Sequence, residues 1–147
     1  MKVGFTGTRA GMSARQRLAF LLLLSGLWHR HLESIPRGTG LLHCELHHGD
    51  CLGADAQADA IARTLGLRRV LYPGTSEQFR GHSEQLATEL CTVRPPAAPL
   101  VRNGHIGQAV TLLFAAPAQR AEAARSGTWA TVRYAREEGV PVVILDP

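Results

Sequence analysis

The chain has 147 residues, of which 45% are hydrophobic, so its size and composition predict one globular domain and argue against disorder. Its formal net charge of +4 comes almost wholly from arginine and is modest for a dedicated nucleic-acid binder. The sequence has neither a membrane-length apolar run nor a secretory signal, and its three cysteines do not make a disulfide framework, so we expect a cytoplasmic protein.

Apolar strand-like runs alternate with helical segments along the first half of the chain. Ser13 and Gln16 have the spacing of a capping box, which predicts a helix that begins at Ala14. Gly66 is expected to end the second helix. The predicted elements are a strand at 2–6, a helix from 14 to about 29, a loop at 32–40, a strand at 41–48 and a helix at 54–65.

The second half continues the alternation after a less regular region. Residues 75–99 are the least regular, with a short helix expected near 83–90 and a break at Pro95 and Pro96. The regular elements predicted here are a strand at 68–72, a short helix at 100–109, a strand at 110–114, a helix at 129–138 and a strand at 142–145.

This alternation predicts an α/β fold. Strands that are mostly apolar runs are typical of a parallel sheet covered by helices on both faces. We expect one Rossmann-like, doubly wound domain over residues 1–147, with about five parallel strands. In such sheets ligands bind outside the carboxyl ends of the strands, where three glycine-bearing turns of this chain are expected.

The first turn, Gly7-Thr8-Arg9, offers backbone amides and a guanidinium, which together can clamp a phosphate. Its spacing is neither the dinucleotide-binding GxGxxG pattern nor a Walker loop, so neither NAD binding nor ATP hydrolysis is indicated.

The second turn places Asp50 and Asp55 around a helix start, between Gly49 and Gly53. One carboxylate can cap the helix while the other is merely solvated. Alternatively, they accept hydrogen bonds from a ribose or a base, or form a catalytic acid–base pair.

The third turn, Ser126-Gly127-Thr128, leads into the last helix. Free amides and the positive helix end favour an anion there, and Thr128 can cap the helix or bond a phosphate oxygen. Trp129 is expected to stack on a base, with packing of the helix as the alternative. An ordinary strand-to-helix turn would look the same in sequence.

Two further groups of polar residues need an interpretation. Arg102 and Asn103, on the short helix, can point into the same cleft. His43, Cys44, His47, His48 and Cys51 lie close in sequence, but neighbours on a strand point to opposite faces. We therefore expect no metal site, and a small buried thiol is favoured over a nucleophile at Cys51.

Four segments together resemble the SLOG superfamily, which is named after the Smf/DprA and LOG proteins. They occur in the family's order, cover about half of the chain and are closest to the DprA-like core. The segments are GFTGTR (4–9), HHGDCLGADAQADAIARTLG (47–66), VRNGHIGQAVTLLFAAP (101–117) and SGTWATVRYAREEGVPVVILDP (126–147).

The resemblance implies a Rossmann-like cleft that binds nucleotides, nucleotide-derived signals or, in the DNA-processing branch, single-stranded DNA. By analogy, Gly7, Thr8 and Arg9 form the first phosphate loop, and Gly49, Asp50, Gly53 and Asp55 form the second turn. Arg102 and Asn103 reach in from the helix, and Ser126, Gly127 and Thr128 hold a phosphate.

Two departures separate this chain from the family's branches. LOG phosphoribohydrolases carry a glutamate where Thr131 stands, so the carboxylate that would act on the ribose is replaced. Asp50, Asp55 and Glu122 are the candidate substitutes. The DNA-processing proteins have flanking domains that are not found in this sequence.

We therefore expect a module that binds or senses a nucleotide or nucleotide-derived signal. The alternatives are a nucleoside-monophosphate N-glycosidase with a substituted carboxylate, and a single-stranded DNA-binding module. We expect no cofactor and no membrane partner. The leucine-rich first helix indicates a homodimer or higher homo-oligomer.

Overall fold

A computed structural model describes residues 1–35, 44–83 and 90–147. The strands are β1 (Lys2–Gly7), β2 (Glu45–His48), β3 (Arg68–Leu71), β4 (Cys91–Val93), β5 (Leu112–Ala116) and β6 (Val142–Ile144). The helices in the described part are α1 (Ala14–Ser34), α2 (Ala54–Thr64), α3 (Pro99–Ala109), α4 (Gly127–Glu137) and a 3₁₀ turn at Glu77–Phe79.

All six strands form one parallel sheet in the order β4-β3-β2-β1-β5-β6. The chain therefore builds outward from β1 to β4 and then crosses back to place β5 on the other side of β1. Strand order reverses between β1 and β5, which pair from Val3↔Leu112 to Gly7↔Ala116. The predicted α/β, Rossmann-like, doubly wound sheet is confirmed, and its ligand crevice is expected above β1 and β5.

The sheet has six strands where about five were expected, and the additional strand is β4. β4 is a three-residue edge strand in which Thr92 and Val93 are exposed, so it has no buried apolar run to reveal it. The short helix expected near 83–90 lies almost wholly outside the described residues, as do most of the loop at 32–40 and the start of the strand at 41–48.

The helix ends differ from the predicted bounds for local reasons. The Ser13–Gln16 capping box is present at the start of α1, as predicted. α1 continues to Ser34 rather than to about His29, and its C-cap Ile35 adopts the extended backbone favoured before a proline. α4 begins at Gly127 rather than at Trp129.

The helices cover both faces of the sheet. α1 and α2 pack on one face around Val3, Phe5 and Phe114, with Phe20 of α1 within 4.8 Å of the Phe5 ring. α3 and α4 pack on the other face around Leu113 and Ala115. Side chains alternate along each strand, so both faces of β1 and β5 are buried and the carboxyl edge stays open.

Three leucines of α1 stay exposed: Leu18, Leu22 and Leu23. The homo-oligomer expected from this helix stays a prediction. Within the described residues, no helix is long and apolar enough to cross a membrane.

Candidate functional site

A cleft of about 450 Å³ opens at the carboxyl ends of β1, β2 and β5. The turns after β1 and β2, the first half of α3 and the start of α4 surround it. Most of the residues singled out in the sequence line it: Gly7, Thr8, Arg9, Gly49, Asp55, Arg102, Asn103, Ser126, Gly127 and Thr128. Asp50, Gly53 and Trp129 do not. The ligand roles of the lining residues stay predictions.

The loop after β1 is docked on the start of α2. The Ala54 N–H donates to the Thr8 carbonyl (3.0 Å), and the Thr8 N–H donates to the Ala116 carbonyl (3.2 Å). A Cβ on Gly7 would lie 2.4 Å from the Ala54 Cβ, so only glycine permits this approach. The floor of the cleft is therefore two turns in van der Waals contact.

The side chain of Asp50 faces away from the cleft. It is fully buried, its Oδ2 accepts two hydrogen bonds from Arg80 (3.1 and 3.0 Å), and its Oδ1 accepts one from the Ser83 N–H (3.0 Å). Its backbone is left-handed, with φ of 52°. Asp50 thus fixes the shape of the second turn and ties it to residues 80–83, a structural role that is sufficient to explain it.

Asp55 is the carboxylate that lines the cleft. It is 4% exposed on the first turn of α2, where its Oδ2 accepts the Cys51 N–H (3.2 Å). Burial raises the pKa of the Asp55 carboxyl, although nearby positive charge, including Arg102, and the Cys51 N–H act in the opposite direction. This site therefore favours the protonated acid more than water does, which suits proton donation.

Cys51 lines the same wall, 3.4 Å from the Arg102 Nη1. Burial raises the pKa of the Cys51 thiol, and the Asp55 carboxylate shifts it in the same direction. Because the thiolate is the reactive form, this environment disfavours a nucleophile. The thiol is half-buried rather than buried as expected.

Arg102 reaches from α3 across to the β2 turn. Its Nη1 donates to the Gly49 carbonyl (2.7 Å), while its buried Nε has no hydrogen-bond partner among the described residues. A Cβ on Gly49 would stand 1.6 Å from that Nη1, so the glycine makes room for the guanidinium. The side-chain amide of the next residue, Asn103, donates to the Gly127 carbonyl (3.4 Å) and links α3 to α4.

The start of α4 forms the opposite wall. Ser126, not Thr128, is the N-cap, and its Oγ accepts the Trp129 N–H (3.3 Å). A Cβ on Gly127 would meet nothing within 4 Å, so space above this turn is open. Arg125, which sequence reasoning missed, also lines the cleft and has no ion-pair or hydrogen-bond partner in the described part of the chain. Only its position before the cap could have indicated it.

Trp129 requires a correction. Its side chain is 5% exposed and packs in the core between α3, α4 and the sheet, so its ring cannot stack on a ligand. The first turn of a helix carries side chains on every side, and residue 129 faces inward. The alternative of helix packing describes Trp129 correctly.

Two further positions bear on catalysis: Thr131, which stands where the LOG glutamate would be, and Glu122, the remaining candidate carboxylate. Thr131 is buried beneath the cleft, where its hydroxyl donates to the Gly127 carbonyl (3.1 Å) and accepts from Thr6 (3.3 Å). Glu122 is outside the cleft and pairs with Arg133 (3.0 Å) and Arg136 (3.5 Å). Neither can supply a carboxylate to the cleft.

The histidines of β2 have protein partners. His47 contacts Tyr72 (3.1 Å) and Glu45 (3.0 Å), and burial lowers the pKa of its imidazole. His48 contacts Asp59 (3.1 Å) and accepts the Asp50 N–H (3.2 Å). No group of three potential metal ligands occurs among residues 1–35, 44–83 and 90–147, and His43 lies outside them.

A second cavity of about 630 Å³ adjoins the cleft. It runs along the outer side of α4, past Tyr134 and Glu137. The two cavities share four lining residues: Leu100, Arg125, Ser126 and Gly127. They therefore form one continuous trough around the start of α4.

No protein-family model and no curated protein matches the sequence. Solved structures do match. DNA processing protein A (DprA) from Streptococcus pneumoniae superposes with a TM-score of 0.68 and 21% identity over 97% of this chain and 49% of that one. The chain therefore has the Rossmann-type fold of DprA.

Two further structures have the same fold. DprA from Helicobacter pylori, described for its single-stranded DNA binding mode, has a TM-score of 0.64 and 16% identity over 98% of this chain and 64% of that one. The molybdenum cofactor binding protein from Rippkaea orientalis gives 0.66 and 13%, over 99% and 76%. The chain thus spans about half of the first DprA protein and less than two thirds of the second. At these identities the likeness concerns the fold alone.

Proposed function

We propose that the cleft binds a phosphate-bearing nucleotide or a nucleotide-derived signal. The supporting observation is the charge of its lining: Arg9, Arg102 and Arg125 face it together with the N-terminus of α4, and among the described residues Asp55 is the single carboxylate that opposes them. Guanidinium groups and the free amides of a helix start both favour phosphate oxygens. The volume of about 450 Å³ lies within the usual range of small-molecule sites.

Gly127 gives the sharpest test of this proposal. A Cβ added there meets nothing within 4 Å, and the charge of an Asp is favourable for α4 itself, because a negative charge stabilises a helix start. The same charge would repel a phosphate. We expect Gly127→Asp to keep or raise the free energy of unfolding while abolishing nucleotide binding, and Gly127→Ala to retain most of the binding.

The first measurement is a thermal-shift series with inorganic phosphate, ribose 5-phosphate, nucleosides, nucleoside mono- and diphosphates and cyclic nucleotides. A ligand at a hundred times its Kd stabilises the native state by about 2.7 kcal/mol, which raises the melting temperature by several degrees. Arg9→Ala is compared with Arg17→Ala, which removes an exposed arginine of α1 outside the cleft. Equal shifts for parent, Gly127→Asp and Arg9→Ala would refute the proposed site.

A hydrolytic alternative is supported by Asp55 alone. Of the three candidate carboxylates, only Asp55 lines the cleft, and its raised pKa suits a proton donor to a departing base. A nucleoside-monophosphate N-glycosidase would release free base, detectable by chromatography. Base release should be lost in Asp55→Asn and retained in a folded Asp50→Asn variant. If both variants still release the base, Asp55 is not the catalytic acid.

An extended ligand is supported by the adjoining second cavity. If single-stranded DNA follows the trough, affinity should increase with oligonucleotide length and fall steeply with salt. A mononucleotide that binds as tightly as a longer oligonucleotide would argue against this alternative.

A further inference from the structure

The guanidinium of Arg9 lies over an aromatic ring at the rim of the cleft. Its guanidinium carbon lies 3.8 Å from the centroid of Phe79. The side chain is exposed, lines the cleft, and has no hydrogen bond or ion pair within the described residues. An arginine that merely waits for a phosphate needs no such support, because its long side chain can reach an anion from many rotamers.

Phe79 itself is fixed by the second turn of the cleft. Its carbonyl accepts the Leu52 N–H (2.9 Å), and its own N–H donates to the Ser76 carbonyl (3.2 Å). The next residue, Arg80, pairs with the buried Asp50 and forms a β-bridge with Cys51. These contacts hold the backbone of Phe79 beside the cleft, and its ring lies beneath the Arg9 guanidinium.

We propose that the Arg9 guanidinium, backed by Phe79, is the platform on which the nucleobase of the ligand stacks. A guanidinium plane is an established stacking partner for bases, and an aromatic ring beneath it restricts its orientation. The start of α4 takes the phosphate, and Arg9 takes the base. This inference rests on the proposed nucleotide function and gives Arg9 a different role from the phosphate clamp expected from sequence.

The platform also supplies the stacking surface that Trp129 cannot provide. Trp129 is buried behind the cleft, whereas Arg9 and Phe79 belong to exposed or half-buried segments at its rim. Stacking tolerates every base, so Arg9 and Phe79 provide affinity for the base, and hydrogen bonds from other groups would be needed to select among bases.

The test separates the base from the rest of the ligand. AMP, GMP, CMP and UMP are titrated calorimetrically beside ribose 5-phosphate, which has the sugar and phosphate without a base. The variants are Phe79→Leu, which keeps an apolar side chain without the aromatic face, and Arg9→Lys, which keeps the charge without the plane. Arg17→Lys on α1 is the matched control.

We expect both variants to weaken the best-binding nucleotide about tenfold while leaving ribose 5-phosphate unchanged. The fluorescence of a 2-aminopurine ribonucleotide should be quenched when it binds the parent and less quenched when it binds Phe79→Leu. The platform is refuted if Arg9→Lys lowers the affinity for the nucleotide and for ribose 5-phosphate equally. It is also refuted if the variants bind nucleotides as tightly as the parent does. In both cases the nucleotide site stands. If the parent binds none of the five ligands, the proposed function fails as well.

Discussion

At the scale of single residues, close contacts decide which positions of the cleft accept a side chain. Gly7 and Gly49 are both closed to a Cβ, but for different reasons. At Gly7 the obstacle is the Ala54 Cβ, which is fixed to a helix backbone, whereas at Gly49 it is the movable end of Arg102. Substitution should therefore cost stability at the first position and should displace Arg102 at the second.

Gly7→Ala should lower the free energy of unfolding by about 1–3 kcal/mol, the usual cost of overpacking a filled interior. Gly104→Ala is the matched control, because nothing lies within 4 Å of its would-be Cβ in the middle of α3. That control should gain about 0.5–1 kcal/mol from helix propensity. Urea denaturation of both variants checks the signs, and a stable Gly7→Ala would contradict the contact.

Asp55→Asn should stabilise the protein at pH 7. Because burial raises the pKa of Asp55, its favourable contribution is complete below the ordinary value of 3.8 and is lost as pH rises through the folded pKa. Asparagine is never ionised and can still accept the Cys51 N–H. The melting temperature of Asp55→Asn should therefore exceed that of the parent at neutral pH and equal it near pH 4.

Glu33→Gln provides the comparison for Asp55→Asn, since it neutralises an exposed carboxylate of α1. It should change stability by no more than about 0.5 kcal/mol at either pH. A destabilised Asp55→Asn at pH 7 would mean that its charge is needed by the fold.

At the scale of elements, local signals were most reliable where a side chain caps a helix. The Ser13–Gln16 pair marks the start of α1 because both of its hydrogen bonds are local. The strand β4 and the inward turn of Trp129 depend on contacts with distant segments, so no local pattern predicts them. β5 ends in Ala115 and Ala116, which are buried but have low strand propensity, and the predicted strand stopped short of them.

The three glycine-bearing turns met in one cleft because parallel strands end at the same edge. Strand ends can be read from sequence, and so the lining was largely foreseeable. The direction of each side chain cannot be read from sequence. The sequence therefore did not predict that Asp50 points away from the cleft towards Arg80, or that Arg125 lines it.

Ser126→Ala should destabilise α4 by about 0.5–2 kcal/mol, since the Trp129 N–H loses its acceptor. Ser126→Gly should cost only a few tenths of a kcal/mol, because glycine is a tolerated N-cap residue. Chemical denaturation of the two variants gives the comparison. Equal costs would show that the serine hydroxyl contributes nothing as a cap.

At the scale of the whole molecule, a buried ionic network joins β2, α2 and β3. Asp59 accepts hydrogen bonds from Arg69 (3.1 and 2.9 Å) and from His48 (3.1 Å), and all three side chains are almost wholly buried. Burial alone would raise the pKa of Asp59, but these partners outweigh it and hold the pKa below its ordinary value. The stability that the pairing provides is present above about pH 4 and is lost as pH falls through the folded pKa.

Asp59→Asn should cost about 3–5 kcal/mol, because it leaves the charge of Arg69 buried without a counterion. Arg63→Ala removes a 35%-exposed partner 3.5 Å from the same carboxylate and should cost about 1 kcal/mol or less. Chemical denaturation at pH 7 and pH 3 measures the free energies of unfolding of the parent and of Asp59→Asn. The difference between them should be smaller at pH 3. Similar costs for the two substitutions would contradict the dominance of the buried pair.

The contact between the β1 loop and the start of α2 has a consequence for how fast a ligand is captured. Thr8, Ala54 and Gly7 already hold the floor of the cleft in shape through backbone hydrogen bonds and a direct packing contact. The entropy of ordering this floor is lost when the chain folds, so association requires no slow rearrangement there. Observed rates should then rise linearly with ligand concentration in stopped-flow mixing, without the plateau that an isomerisation step would impose.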